Sequence, residues 1–108
     1  MKESKLINYT TQDFSTESDM LFTIHYWQDN KDKFLSQLKS KGLIRYVMVR
    51  VWNREGGFRL GHLFEYKDEN SYKKCQSIWQ DVEQHGKTKV PIRVVANRGI
   101  VLEDNILL

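Results

Sequence analysis

Apolar positions in this chain come in short bursts separated by polar turns, and each burst has a recognisable period. Residues 1–20, MKESKLINYTTQDFSTESDM, are largely polar and hold no sustained period. The pattern therefore assigns residues 1–19 to an N-terminal arm, although Leu6, Ile7, Tyr9 and Phe14 are apolar enough to order part of it. The compact domain is expected over 20–98. Its first run, LFTIHYW at 21–27, is short, aromatic and β-branched, which predicts a strand. Asp29 and Asn30 then offer an N-cap, and Phe34, Leu35 and Leu38 share a helical face. Lys39 and Lys41 suit a helix C-terminus and Gly42 a left-handed stop, so a helix is expected over about 30–41.

The run LIRYVMVRVW at 43–52 alternates cleanly and predicts a second strand. Residues 53–57, with Gly56 and Gly57, form a hairpin loop leading into a third strand at 58–66. Asp68 caps a second helix whose apolar stripe is Tyr72, Cys75, Ile78, Trp79 and Val82, with Gly86 ending it. A fourth strand follows at 90–97, and Pro91 suits its start because it lacks an N–H. The order β-α-β-β-α-β, with right-handed crossovers and a central hairpin, predicts an α+β ferredoxin-like fold. Its four-stranded antiparallel sheet has the order 4-1-3-2, with both helices on one face. Residues 99–108, GIVLEDNILL, are too apolar to hang in water and read as a tail that packs against a partner subunit.

Strand parity assigns side chains to the two sheet faces. Phe22, Ile24, Tyr26, Val47, Val49, Val51, Phe58, Leu60, His62, Phe64, Tyr66, Ile92 and Val94 are expected under the helices. His25, Trp27, Tyr46, Met48, Arg50, Trp52, Arg59, Leu63, Glu65, Arg93, Val95 and Asn97 are expected on the open face. Such an apolar face on a small monomer marks an interaction surface. Two uses fit: a second copy packs sheet on sheet, or single-stranded RNA stacks on the aromatics while arginines meet phosphates.

Composition narrows the choice. At 108 residues, with 40% hydrophobic and 29% charged positions, the chain makes one domain with one core and is not a disordered sequence. The 17 basic and 14 acidic residues are interleaved, so the net charge of +3 reads as a solvated mixed surface and makes nucleic acid an unfavoured partner. No apolar run approaches the roughly 18 residues of a membrane span, and the N-terminal stretch has no signal-peptide core. One cysteine permits no internal disulfide and no cysteine-based metal site. These features predict a soluble, cytoplasmic protein with no membrane partner.

The stretch HLFEYKDENSYKKCQSIW at 62–79 resembles the third strand–second helix junction of the dimeric α+β barrel superfamily, which includes antibiotic-biosynthesis monooxygenase and NIPSNAP-like domains. Those proteins often place an aromatic at the end of strand 3 and a second one six residues on, as Tyr66 and Tyr72 stand here. The resemblance implies a homodimer with a small-molecule site and no single reaction. Haem-degrading members carry a strand 1 Asn, the strand 3 aromatic and a helix 2 His ten residues later. Tyr66 matches the aromatic, Gln76 stands at the His position, and the expected first strand offers His25 and no evident Asn. RNA-recognition motifs share the element order, but their strand 3 pattern fails at Arg59 and Leu60.

The candidate chemistry follows. His62, beneath the second helix, and His25, on the open face, are the candidate acid–base groups. Tyr26 and Tyr66 are expected to line a pocket with His62, and Arg50, Arg59, Arg93 and Trp52 to bind an anionic or aromatic ligand inside the dimer barrel. No metal-ligand spacing, phosphate loop or nucleophile elbow is present, and no cofactor is expected. The functional expectation is a homodimer binding a small molecule, with cofactor-independent oxygenation or isomerisation as the family-level reaction. The alternatives are an RNA-binding module or a structural or regulatory dimer without a ligand.

Overall fold

The computed structural model describes residues 5–53, 56–85 and 91–108, the His85 side chain excepted. Six elements follow one another: β1 (Leu6–Phe14), α1 (Glu17–Ser40), β2 (Leu43–Arg50), β3 (Phe58–Tyr66), α2 (Glu69–His85) and β4 (Arg93–Ile100). The strands form one antiparallel sheet in the order β2-β3-β1-β4. This is the expected βαββαβ ferredoxin-like architecture. Arg54 and Glu55 of the hairpin loop, Gly86 as the helix stop and Val90 at the expected start of the fourth strand lie outside the described residues.

The first strand and first helix are placed differently from the sequence reading. Leu21–Trp27, expected as a strand, lies inside the 24-residue helix α1, and the expected helix at 30–41 is that helix's C-terminal half. The strand comes from the segment assigned to the arm. The reason is the long-range stripe on α1. Met20, Trp27, Phe34 and Leu38 are all buried, and spacings of seven, seven and four keep them on one helical face. Thr16 caps the helix with its side-chain oxygen accepting from the Asp19 N–H at 3.1 Å, and Glu17 and Asp19 put negative charge in the first turn. A locally strand-like aromatic run thus loses to a capped, amphipathic three-heptad helix.

A second correction concerns β2. Its register pairs Tyr46 with Phe64, Met48 with His62 and Arg50 with Leu60. Tyr46, Met48 and Arg50 therefore lie on the helix side, while Val47 and Val49 lie on the open face, the reverse of the expectation. An irregularity between Leu43 and Arg45 causes the swap: Leu43 stays in the core, and everything after it changes face. β3 and β4 keep the expected parity, with Leu60, His62, Phe64, Tyr66 and Val94 under the helices and Arg59, Leu63, Glu65, Arg93, Val95 and Asn97 outside.

The main core joins both helices to the sheet through Leu6, Trp27, Phe34, Leu38, Leu43, Tyr66, Cys75 and Ile78. A smaller cluster of Phe14, Met20 and Leu60 closes the other end. Between them, the helix-facing side of β1 reads Asn8, Thr10, Gln12, a polar stripe beneath two helices. All eight positions of β4 are exposed, so the sheet is left uncovered along that edge.

Candidate functional site

The uncovered edge opens into a cavity of about 650 Å³ between the sheet and the two helices. Its floor is the polar stripe of β1 with Tyr46, His62 and Phe64; α1 contributes Phe22 and Tyr26, α2 contributes Gln76 and Trp79, and β4 contributes Val94, Ala96 and Arg98. Eight aromatic side chains line it, counting Phe22, Tyr26, Trp27, Tyr46, Phe64, Tyr66, Tyr72 and Trp79. Trp27, Tyr46, Phe64, Tyr66, Tyr72 and Trp79 pack on one another, with Phe64 edge-on to Trp79 at 4.8 Å between centroids and Tyr46 tilted against Phe64 at 5.2 Å. The walls are therefore stiff as well as apolar.

Three strands build a hydrogen-bonded chain across the floor. Gln12, His62 and Tyr46 sit on one diagonal of the sheet, within reach of long side chains. The Tyr46 hydroxyl lies 2.6 Å from His62 Nδ1, and His62 Nε2 lies 2.6 Å from Gln12 Oε1. An amide oxygen only accepts, so Nε2 carries the ring proton and donates to Gln12. Burial pushes the His62 pKa down to about 4, which keeps the ring neutral at pH 7 and leaves Nδ1 to accept from the Tyr46 hydroxyl. Burial also raises the Tyr46 pKa far above its ordinary value, so the phenol keeps its proton. The chain is thus a fixed, uncharged array with a single direction of donation, Tyr46 to His62 to Gln12.

Deeper in the core, the Trp79 Nε1–H donates to the Tyr66 hydroxyl at 2.9 Å. Burial raises the Tyr66 pKa despite that bond. Asn8 donates from Nδ2 to Thr10 Oγ1 at 2.8 Å. At the mouth, the Arg98 guanidinium sits 5.1 Å from the Tyr72 ring centroid. Among the described residues no group of three His, Cys, Asp or Glu side chains gathers to hold a metal.

Of the residues singled out from the sequence, His62, Tyr26 and Tyr66 come together in this cavity. The others do not join them. His25 is exposed on α1. Arg50 is on the helix side but bonds Glu17 at 2.7 Å near the surface. Arg59 pairs with Asp13 on the open face through two bonds of 2.5 and 3.1 Å, which raise its pKa. Trp52 lies beyond the end of β2 and is 90% exposed, and Arg93 is exposed on β4. Within one copy, His25 and these arginines are therefore not gathered into one site. Nor is an RNA-stacking platform assembled, since Trp27 and Tyr46 are turned into the core.

Sequence reading missed Asn8, Gln12, Tyr46 and Arg98 as site residues. The signal was present in β1: polar residues at 8, 10 and 12 framed by Leu6 and Phe14. Once the first strand is placed at Leu6–Phe14, Asn8 supplies the strand 1 Asn of the haem-degrading pattern, with Tyr66 and Gln76 beside it in the cavity. The position of the helix 2 His remains Gln, so the iron ligand of that pattern is not reproduced.

Comparison with known proteins places this geometry. The family model of a domain of unknown function, DUF6974, matches residues 3–101, and the chain belongs to that family. Two structures described as dimeric ferredoxin-like proteins from an uncultured marine organism are similar throughout. One has 26% identity and a TM-score of 0.86, covering 99% of this chain and 96% of its own. The other has 27% identity and a TM-score of 0.84, covering 95% and 100%. A monooxygenase of Streptomyces coelicolor, solved in complex with nanaomycin D, shares the fold at 7% identity and a TM-score of 0.73, covering 97% of this chain and 93% of that one. No curated protein matches the chain. No helix among the described residues is long and apolar enough to cross a membrane.

Proposed function

We propose that this DUF6974 domain works as a homodimer that binds a small, largely aromatic organic molecule in the cavity between its helices and its sheet. The observation that carries the reading is the cavity itself. It is of ligand size, has stiff apolar walls and presents a few fixed polar groups, which is the composition of small-molecule sites. The neutral Tyr46–His62–Gln12 chain supplies orientation without charge. The reaction class carried over from the fold, cofactor-independent oxygenation or isomerisation, rests on analogy with monooxygenases of the same architecture.

The homodimer draws support from the dimeric ferredoxin-like relatives and from the open sheet face. On that face Tyr9, Val49 and Val95 are exposed, beside Val47 and Leu63. The tail adds Leu102, Ile106, Leu107 and Leu108, all exposed in one copy. A second copy on this face removes both from water.

Ligand-observed NMR with a set of aromatic fragments tests the site, using the full chain and Ala96→Trp. Ala96 stands at the exposed mouth, so a Trp there fills the entrance without disturbing the core. Fragments should bind the native protein and lose binding to the variant at unchanged melting temperature. Equal binding to both proteins, or none to either at millimolar concentration, overturns the reading.

A further inference from the structure

The cavity holds one buried polar atom that the described protein leaves unsatisfied. Asn8 is 6% exposed, and its Nδ2 is used by Thr10, while its Oδ1 has no partner. Buried amide oxygens without partners are rare because the lost hydration is not returned. The obvious internal donor does not take the place. Arg98 stands directly opposite Asn8 in the β1–β4 register and on the same face, yet its guanidinium lies over Tyr72. Asn8 is therefore a fixed acceptor in the cavity floor, and a group that completes it must bring an O–H or N–H.

The surroundings define the rest of such a molecule. Phe64, opposite Asn8 in the β1–β3 register, and Trp79, set edge-on to it, form an aromatic corner in the same cavity, suited to an aryl ring. Arg98 waits at the mouth with a planar guanidinium, suited to a carboxylate. Glu83 borders the same mouth, which confines an anionic group to the Arg98 side. Building on the small-molecule reading above, we propose that the site takes a hydroxylated aryl acid. Its hydroxyl donates to Asn8 Oδ1, its ring packs into the corner between Phe64 and Trp79, and its carboxylate meets Arg98.

Isothermal titration of the full chain with three probes tests this: 6-hydroxy-2-naphthoate, 2-naphthoate and 2-naphthol. The hydroxynaphthoate should bind at least tenfold tighter than either probe that lacks one of its polar ends. Asn8→Leu, which keeps the branched shape and removes the acceptor, should bring the hydroxynaphthoate and 2-naphthoate together. Arg98→Met should remove the preference for hydroxynaphthoate over 2-naphthol. Near-UV circular dichroism establishes that each variant is folded, and Asn8→Ala replaces Asn8→Leu where the latter is not. Equal affinity for the three probes, blocked by Ala96→Trp, overturns this inference and leaves the cavity reading standing. A hydroxyl preference that survives Asn8→Leu also overturns it. If none of the three binds and the wider fragment set also fails, the cavity reading falls with it.

Discussion

Acid should destabilise this protein through one ring. His62 titrates near pH 4 in the fold and near 6.5 as a free side chain, because burial disfavours its charged form. Between those values an unfolded chain binds a proton on this imidazole and the folded chain does not. Stability from the neutral ring is therefore complete above pH 6.5 and is lost as pH falls towards 4. At about 1.4 kcal/mol per pH unit, the full loss is about 3.4 kcal/mol, and about 2.4 kcal/mol is gone between pH 7 and pH 4.5. That is a sizeable share of the roughly 5–15 kcal/mol that holds an ordinary domain together. Asp68, whose carboxylate is held below its ordinary value by its bonds to Ser71, loses its contribution mainly at lower pH and does so equally in the control. The control is His62→Gln, which retains an acceptor for Tyr46 and a donor for Gln12 and cannot charge. Urea unfolding followed by tryptophan fluorescence, at one protein concentration and at pH 7 and 4.5, gives the comparison. The native protein should lose about 2 kcal/mol more than the variant over that interval, a difference on the order of 1–2 M in midpoint. Parallel losses in the two proteins would refute the placement of His62 as a buried neutral link.

Leu38 is fully buried where the helices meet the sheet, so Leu38→Ala should cost about 2–5 kcal/mol in chemical unfolding. Gly42 has φ +106° and a Cβ there would collide with the Ser71 side chain, so Gly42→Ala should lower the melting temperature by at least about 5 °C. An unchanged melting temperature would mean that the turn after α1 adapts. Removing residues 102–108 takes away the exposed tail and leaves β4 whole; light scattering should then show weaker dimerisation with an unchanged monomer circular-dichroism spectrum. A truncated chain as dimeric as the full one would show that the tail has no part in assembly.

The sequence by itself determined the element order and the sheet that follows from it, and, from β2 to α2, which segment forms which element. Alternation in 43–52 and 58–66, the Gly56–Gly57 turn and the stripe of α2 are local signals that report local geometry. It also marked His62, Tyr26 and Tyr66, because an aromatic or a His on an apolar face is visible in one period. Tertiary structure decided the rest, for reasons a local window does not contain. LFTIHYW is helical because Met20, Trp27, Phe34 and Leu38 bury together over five turns, a packing gain that outweighs local strand preference. β1 escaped notice because its covered face is polar at 8, 10 and 12, and a strand reads as one only when its covered face is apolar. The irregularity at 43–45 then fixed which residues of β2 meet the helices, bringing Tyr46 rather than Val47 to His62. The position that made β1 hard to recognise is the one that makes the site: a polar stripe under two helices, which only the assembled sheet places against aromatic walls.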